Sequence, residues 1–230
     1  FAPAGTENQQ ALVLSNSWVA YGNVFQPPTF VITGGLCVVS GLIKGGVFTA
    51  GVVVAILPES CRPNKHLIFN VHTSTRVADA LVARVDVRKD GSVTWEAGGN
   101  NGWISLTGIT FAPAGTAQQA LGLSNSWVAY GSVFQLPTFV VTGGLCVVSG
   151  LIKSGGWGLI ATLPESCRPS KRLIFNLIQH GTTSRVDVLP DGSVTWVAGG
   201  NAYEWISLTG IIFAPAGTEN QQALVLSNSW

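Results

Sequence analysis

The stretch TGGLCVVSGLIK, residues 33–44, returns without a change at residues 142–153. Its centre is β-branched and apolar and its ends contain glycine, which is typical of a buried β-strand bounded by turns. Further segments repeat around it in the same order: SNSWVAYG from Ser15 and Ser124, LPESCRP from Leu57 and Leu163, DGSVTW from Asp90 and Asp191, and WISLTGI from Trp103 and Trp205. The sequence therefore predicts two tandem copies of one module.

The repeats predict one module at residues 1–110, a second at 111–212 and the leading segment of a third at 213–230. The third leading segment is identical to residues 1–18, whereas residues 111–127 carry one deletion and two substitutions. The repeating unit is accordingly interpreted as a pair of modules, and the chain as a window cut from a longer array or as a polymer repeat that extends slightly past its own period. No flexible spacer separates the modules, so neighbouring modules are expected to be held stiffly.

Each module is predicted to be all-β, an antiparallel and jelly-roll-like β-sandwich. β-branched and aromatic residues, bounded by Gly, Pro, Asn and Asp, predict strands at residues 30–32, 36–43, 47–57, 67–71, 81–87, 93–96 and 103–111. No segment of ten or more residues shows a helical period. In the RVDVR stretch, alternation places Arg84, Asp86 and Arg88 on one face, which is predicted to be solvated and to offer ion pairs across strands.

Charged residues make up only 10% of the chain, hydrophobic residues 47%, and the net charge is +1. A free soluble monomer rarely carries so little charge, so the composition favours a polymer whose subunits cover one another. No uncharged apolar run approaches the roughly 18 residues of a spanning helix, which argues against membrane insertion. The 12 Lys and Arg residues form no cluster, which argues against a nucleic-acid partner.

Four cysteines occupy equivalent positions, Cys37 and Cys61 in the first module and Cys146 and Cys167 in the second. An even count at a repeated spacing predicts one disulfide in each module, and four buried free thiols are the alternative. A disulfide closing a loop of this length stabilises the fold by about 3 kcal/mol in the chain-entropy description. It also implies an oxidising, secreted setting.

The ordered motifs NSWVAYG, GLCVVSGLIKGG, LPESCRP, RVDVxxDGSVTW and WISLTGI resemble the C-terminal β-sandwich modules of bacteriophage tail and tail-fibre proteins. The resemblance covers nearly all of each module. It implies a non-enzymatic, often oligomeric domain used for attachment or capping. The chain departs from that pattern where Ser60-Cys61 and Ser166-Cys167 replace a Gly-Tyr pair and where cysteines stand at Cys37 and Cys146. The tandem arrangement also differs from a terminal phage domain, which favours a secreted fibre or surface protein.

No catalytic constellation is visible. Asp86 lies between two arginines and Asp187 follows one on predicted strands, whereas a glycosidase needs two carboxylates facing one sugar bond. His66 is replaced by Arg172 in the second copy, and no nucleophile motif accompanies any histidine. The cysteines lack the close pairing of zinc ligands. We therefore expect no enzyme activity, no metal and no cofactor; a polysaccharide-degrading enzyme would require an acidic pair in a cleft.

Aromatic residues supply the remaining candidates. Trp103 and Trp205 are candidate sugar-stacking residues, with packing in the core or at a module junction as the alternative. The residues assigned to assembly or to the module junction stand at the ends of the three leading segments: Phe1, Trp18, Phe111, Trp127, Phe213 and Trp230.

Together these features predict a non-enzymatic structural subunit of an extracellular fibre or surface appendage that self-associates into a polymer. The leading segment of each module is expected to pair with a sheet edge of a neighbouring module or chain. The alternative is a carbohydrate-binding, lectin-like adhesion module with glycans as partners.

Overall fold

A computed structural model describes residues 8–74, 81–100, 102–179, 182–200 and 205–218. Antiparallel strands dominate this part of the chain, and its helical content consists of two 3-10 turns, η1 (Glu59–Cys61) and η2 (Glu165–Cys167). The all-β prediction is confirmed. None of the described segments is a helix long and apolar enough to cross a membrane.

The strands of the first module are β1 (Gln10–Ala11), β2 (Val13–Leu14), β3 (Val19–Ala20), β4 (Thr29–Thr33), β5 (Leu36–Ser40), β6 (Leu42–Lys44), β7 (Val52–Ile56), β8 (Leu67–His72), β9 (Val82–Val87), β10 (Ser92–Gly98), β11 (Trp103–Ser105) and β12 (Ile109–Phe111). Those of the second are β13 (Gln119–Ala120), β14 (Val128–Ala129), β15 (Thr138–Thr142), β16 (Leu145–Ser149), β17 (Leu151–Lys153), β18 (Leu159–Thr162), β19 (Leu173–Gln179), β20 (Thr182–Val188), β21 (Ser193–Gly199), β22 (Trp205–Ser207) and β23 (Ile211–Phe213). The order is the same in both modules, and the counterpart of β2 is a bridge between Leu123 and Ala161.

Each module packs three antiparallel sheets around one core in a sandwich-like arrangement. In the first module the strand orders are β1-β4-β5-β12, β2-β7-β10-β9-β8 and β11-β6-β3. In the second they are β13-β15-β16-β23, β18-β21-β20-β19 and β14-β17-β22. The edge strands β8 and β19 therefore occupy equivalent places in the two modules.

The third, smaller sheet arises because the strand predicted at residues 36–43 bends at Gly41. This glycine has a φ of 123°, and a Cβ there would lie 2.5 Å from the Cα of Pro28, so only glycine fits. β5 joins the four-stranded sheet and β6 continues in the three-stranded one. Strands that switch sheets in this way form the corners of a sandwich.

The boundary predicted at residue 110 cuts through a strand. β12 pairs with β5, which places Phe111 opposite Cys37, and Phe111 is fully buried in the core of the first module. The second module ends in the same way, with Phe213 opposite Cys146. Phe111 and Phe213 therefore close the core of the preceding module, and the leading segment follows them.

The described parts of the leading segments pair inside their own modules. β1 pairs with β4, β2 with β7 and β13 with β15. The predicted strand addition to a neighbouring module is thus not found among these residues. The link between modules instead contacts the first module, since the Ala114 N–H donates to the Arg62 carbonyl at 2.7 Å.

Candidate assembly interface

The two predicted disulfides are confirmed. Cys37 bonds to Cys61 and Cys146 to Cys167, each across a Cα separation of 5.4 Å. All four sulfur atoms belong to side chains buried in the module cores. Each disulfide joins a strand, β5 or β16, to a 3-10 turn, η1 or η2. The disulfides indicate an oxidising environment.

The carboxylates of Asp86 and Asp187 are buried but fully engaged, so the predicted solvated face is wrong. Asp86 accepts hydrogen bonds from Arg84 at 2.8 and 2.6 Å, and its Oδ2 lies 2.7 Å from the His66 Nε2. Asp187 accepts two from Arg185, each at 2.8 Å. Because both carboxylates are buried, each needs its basic partners to offset desolvation.

The charge on Asp187 is stabilised by its surroundings. Hydrogen bonds from Arg185 hold the pKa of the Asp187 carboxyl below its usual value, against the opposing effect of burial, and Arg172 adds to the lowering. The guanidinium of Arg172 donates to Asp187 Oδ2 at 2.6 Å. Arg172 and Arg185 are therefore oriented side chains that stand on the surface of the second module.

Other acidic side chains also have structural partners. The Asp90 carboxyl accepts from the N–H and the hydroxyl of Ser92 in the β9–β10 turn, and these bonds lower its pKa. Glu96 pairs with Arg88 at 3.0 Å. Within the described ranges, no group of three or more His, Cys, Asp or Glu side chains is placed to hold a metal ion.

The two modules meet through a groove of the second module and an edge face of the first. We call the side chains of Tyr130, Phe134, Leu151 and Trp205 the covered groove, and those of His66, Ile68 and Arg84 the covered face. The groove residues line one small cavity with Ile68 and Arg84, and they form one apolar cluster with Ile68. This junction is apolar at its centre, as expected of a stable contact.

Three contacts fix the covered face in the covered groove. The Ile68 side chain is only 2% exposed and packs in the cluster with Leu151. The His66 ring stacks on Phe134 with centroids 4.8 Å apart. The Arg84 guanidinium lies 5.5 Å from the centre of the Trp205 ring, a cation–π contact.

Backbone hydrogen bonds lock the same junction. The His66 N–H donates to the Val133 carbonyl at 3.1 Å, and the Gln135 N–H donates to the His66 carbonyl at 2.9 Å. The buried hydroxyl of Ser207 donates to the carbonyl of Ile68 at 2.8 Å. The edge of β8 is therefore partly paired by the neighbouring module, which fixes the relative position of the two modules.

A second contact brings equivalent residues of the two modules together. Its apolar cluster contains the first-module residues Val31, Leu36, Val38 and Ala112 and the second-module residues Val140, Leu145, Val147 and Ile212. The β4–β5 turn touches its counterpart, because a Cβ on Gly34 would lie 3.0 Å from the Cα of Gly143. The Thr142 hydroxyl donates to the Gly34 carbonyl at 3.0 Å.

The counterparts of the covered groove and face have no such neighbour in the described part of the chain. We call Tyr21, Phe25, Leu42 and Trp103 the open groove; its volume is about 400 Å³ and its lining residues all belong to the first module. We call Arg172, Ile174 and Arg185 the open face. Ile174 is 62% exposed.

A cleft of about 660 Å³ lies beside the covered face and is lined by Lys65, Arg88 and Lys89 of the first module and Val133 of the second, among others. The counterparts of Arg88 and Lys89 are Leu189 and Pro190. The basic character of this cleft is therefore not a repeated property of the module.

The structure separates the predicted site residues into two groups. Trp18 and Trp127 lie in the cores of their own modules, each packed flat on a glycine, Gly46 or Gly155, where a Cβ would lie 2.1 Å from the indole. Phe111 and Phe213 are core residues as well. None of these four builds the module junction, and Phe1 and Trp230 lie outside the described residues.

The two candidate sugar-stacking residues occupy equivalent places in different surroundings. Trp205 is half-buried in the covered groove, beneath Arg84. Trp103 is half-buried in the open groove, beside Tyr21 and Phe25. The first is therefore occupied by protein, and the second is accessible.

Sequence reasoning missed the residues that make the junction, above all Ile68, Phe134 and Leu151. The available signal was the repetition of short apolar groups in segments predicted as loops, such as the Val-Phe pair that follows SNSWVAYG by one residue. Exposed apolar residues in a polar setting indicate an interaction surface.

No family model, curated protein or solved structure matches this chain. The geometry of the junction is therefore the basis on which a function can be proposed.

Proposed function

We propose that this protein is a non-enzymatic structural subunit of an extracellular assembly, a fibre or surface appendage, whose disulfide-bonded modules associate by packing against one another. The observation that carries the proposal is the junction itself. Two modules are fixed by apolar clusters and backbone hydrogen bonds, and a linker alone would leave them free to move.

Composition supports the same proposal. Because only 10% of the residues are charged, electrostatic repulsion between neighbouring modules is weak. Exposed apolar side chains remain on both modules, including Phe25 at 47% and Ile174 at 62%. Such residues favour burial against a further protein surface.

The disulfides support an extracellular location. Both are intact and buried, and reducing compartments rarely preserve such bonds. A disulfide stabilises a secreted protein by restricting its unfolded chain. This stabilisation does not depend on association, so it persists when the protein is diluted.

Five of the described carboxylates support a structural role. Asp86 and Asp187 serve buried ion pairs, Glu96 pairs with Arg88, and Asp90 and Asp191 hold turns through Ser92 and Ser193. Each is committed to the fold, whereas a general acid must be able to donate its proton to a substrate.

Sedimentation and electron microscopy of the purified, oxidised protein test this proposal. We expect oligomers whose mass grows with protein concentration and whose formation persists at high salt, because apolar contacts are not screened. A protein that stays strictly monomeric at the highest attainable concentration contradicts the proposal. Loss of the oligomers in salt would contradict the apolar basis assigned to them.

The open groove favours one alternative, a carbohydrate-binding adhesion module. Trp103, Tyr21 and Phe25 offer aromatic surface there, and Gln26 and Ser105 offer polar groups, a combination suited to sugar rings. A glycan array with the wild type, Trp103→Ala and the matched Trp205→Ala tests it. Binding that is lost with Trp103→Ala and kept with Trp205→Ala supports the alternative, and an array without binding removes it.

A further inference from the structure

We propose that the open groove binds the open face of a second copy of this chain, through the same contact that joins the two modules within one copy. This inference rests on the proposed function and specifies its surface. The open groove belongs to the first module and the open face to the second, so each copy presents one of each.

The two surfaces repeat the residues of the internal junction. The groove residues Tyr130, Phe134, Gln135, Leu151, Trp205 and Ser207 correspond to Tyr21, Phe25, Gln26, Leu42, Trp103 and Ser105, with identical residue types. On the face, Ile174 and Arg185 correspond to Ile68 and Arg84, and only His66 changes, to Arg172. A surface that buries one partner through these side chains is equipped to bury another with the same ones.

Each internal contact has a direct equivalent between copies. Ile174 would enter the groove beside Leu42, as Ile68 does beside Leu151. Arg185, already oriented by Asp187, would lie over Trp103 as Arg84 lies over Trp205. The one changed residue keeps the chemistry, since a guanidinium at Arg172 stacks on the ring of Phe25 as the His66 ring stacks on Phe134.

The internal contact is heterologous, which leaves one groove and one face unoccupied in the described part of each copy. A two-fold relation between the modules would be reciprocal and would bury Ile174 as deeply as Ile68. Their exposures of 62% and 2% exclude it. A heterologous contact continues to the next module until the assembly closes into a ring or grows into a helix.

The position of the rotation axis follows from the second contact. The operation that takes the first module onto the second moves Gly34 onto Gly143, and these residues already touch. The axis therefore passes close to the β4–β5 turn, with little translation along it. A groove of about 390 Å³ opens beside this axis, lined by equivalent residues of both modules such as Leu36 and Leu145. A module of the second copy, placed by the same operation, would lie over this groove.

Cross-linking between two variants that each carry one added cysteine tests the contact. The two variants are Arg172→Cys and Phe25→Cys. Their positions are equivalent to those of His66 and Phe134, which form a β-bridge in the internal junction. A disulfide can span the distance between two bridged residues. We expect a disulfide-linked product when the two variants are mixed under mild oxidation. The control mixes Arg172→Cys with Val13→Cys, which lies on β2 at the sheet edge opposite β8; equal yields in both mixtures would overturn the proposal.

A sedimentation comparison separates this inference from the proposed function. Ile174→Asp places a charge on the open face, and Val13→Asp replaces another exposed apolar residue, at 69% exposure. We expect Ile174→Asp to weaken self-association by about tenfold or more, because the Ile side chain can no longer be buried, and Val13→Asp to leave it unchanged. If both variants assemble like the wild type, the open face is not the docking surface although the protein remains an assembling one. A wild type that does not assemble contradicts the function itself.

Discussion

The covered groove and the open groove differ in their neighbours and hardly at all in their sequence. Leu151 and Leu42, Trp205 and Trp103 are the same residue types at equivalent positions, but Leu151 is buried and Leu42 only half-buried. Burial in this protein is thus set by the adjoining module as much as by the local pattern. An apolar residue exposed in one copy and buried in the other marks the surface on which we propose that association takes place.

The largest expected effect tests whether the cores of the two modules depend equally on their disulfides. Replacing Cys37 and Cys61 together by Ala should lower the free energy of unfolding of the first module by about 3 kcal/mol, because the unfolded chain regains the closed loop. The same change at Cys146 and Cys167 should cost nearly the same. Denaturant unfolding measures both free energies, with the unfolding of each module detected by its susceptibility to proteolysis. A much smaller loss in either module would contradict the equivalence of the interiors.

A slightly smaller effect should separate the covered face from the open face. Ile68→Ala should cost about 2 kcal/mol or a little more, because it leaves a cavity in the module junction. Ile174→Ala should change the free energy of unfolding by less than about 0.5 kcal/mol at concentrations where the protein is monomeric, because the side chain is exposed. Urea unfolding of the two variants measures the difference, and equal costs would show that the junction does not depend on Ile68.

A third comparison tests how tightly the two modules approach. Gly34→Ala introduces a Cβ that meets Gly143 across the second contact, in addition to the strain of its φ of 56°. Gly22→Ala has a φ of 84° and nothing within 4 Å of the added atom, so it carries only the backbone strain, about 1 kcal/mol. We expect Gly34→Ala to cost about 1 kcal/mol more than Gly22→Ala. Thermal unfolding of both variants measures this excess, which should vanish if the turns do not touch.

The smallest effect concerns the open face and pH. The folded-state pKa of Asp187 is lowered by Arg185, so its contribution to stability is complete above the ordinary carboxyl pKa near about 4 and is lost as pH falls through the folded value. As the pH falls from neutral, the free energy of unfolding of the second module should therefore decrease. Asp187→Asn should make this decrease smaller. An unchanged acid profile in Asp187→Asn would contradict this role.

Much of the interior could be predicted from the sequence. Repetition of the cysteines indicated both disulfides, and β-branched runs indicated the strands β4, β8 and β9 within one or two residues of their observed bounds. The bend at Gly41 was missed because its cause, the close approach of Pro28, lies outside the strand. The segment at residues 47–57 was predicted too long, since β7 begins only at Val52.

The junction could not be predicted from local patterns. Trp18 was assigned to it because the residue ends a leading segment, but Gly46 provides a flat place for its indole inside the module. Ile68 and Ile174 occupy the same LIFN motif, so no window of sequence distinguishes the buried residue from the exposed one. Asp86 was expected to face solvent, because alternation reports which residues share a face and not what covers that face.

The short link between the modules, residues 112–118, has a kinetic consequence. A covalent tether turns the first module–module encounter into an intramolecular event at a high effective concentration. Each polypeptide thus folds into a preformed pair, and in the proposed assembly the first module–module encounter is already complete. Growth from such pairs should begin without the lag that separate modules would show, and cleavage within the link should restore that lag.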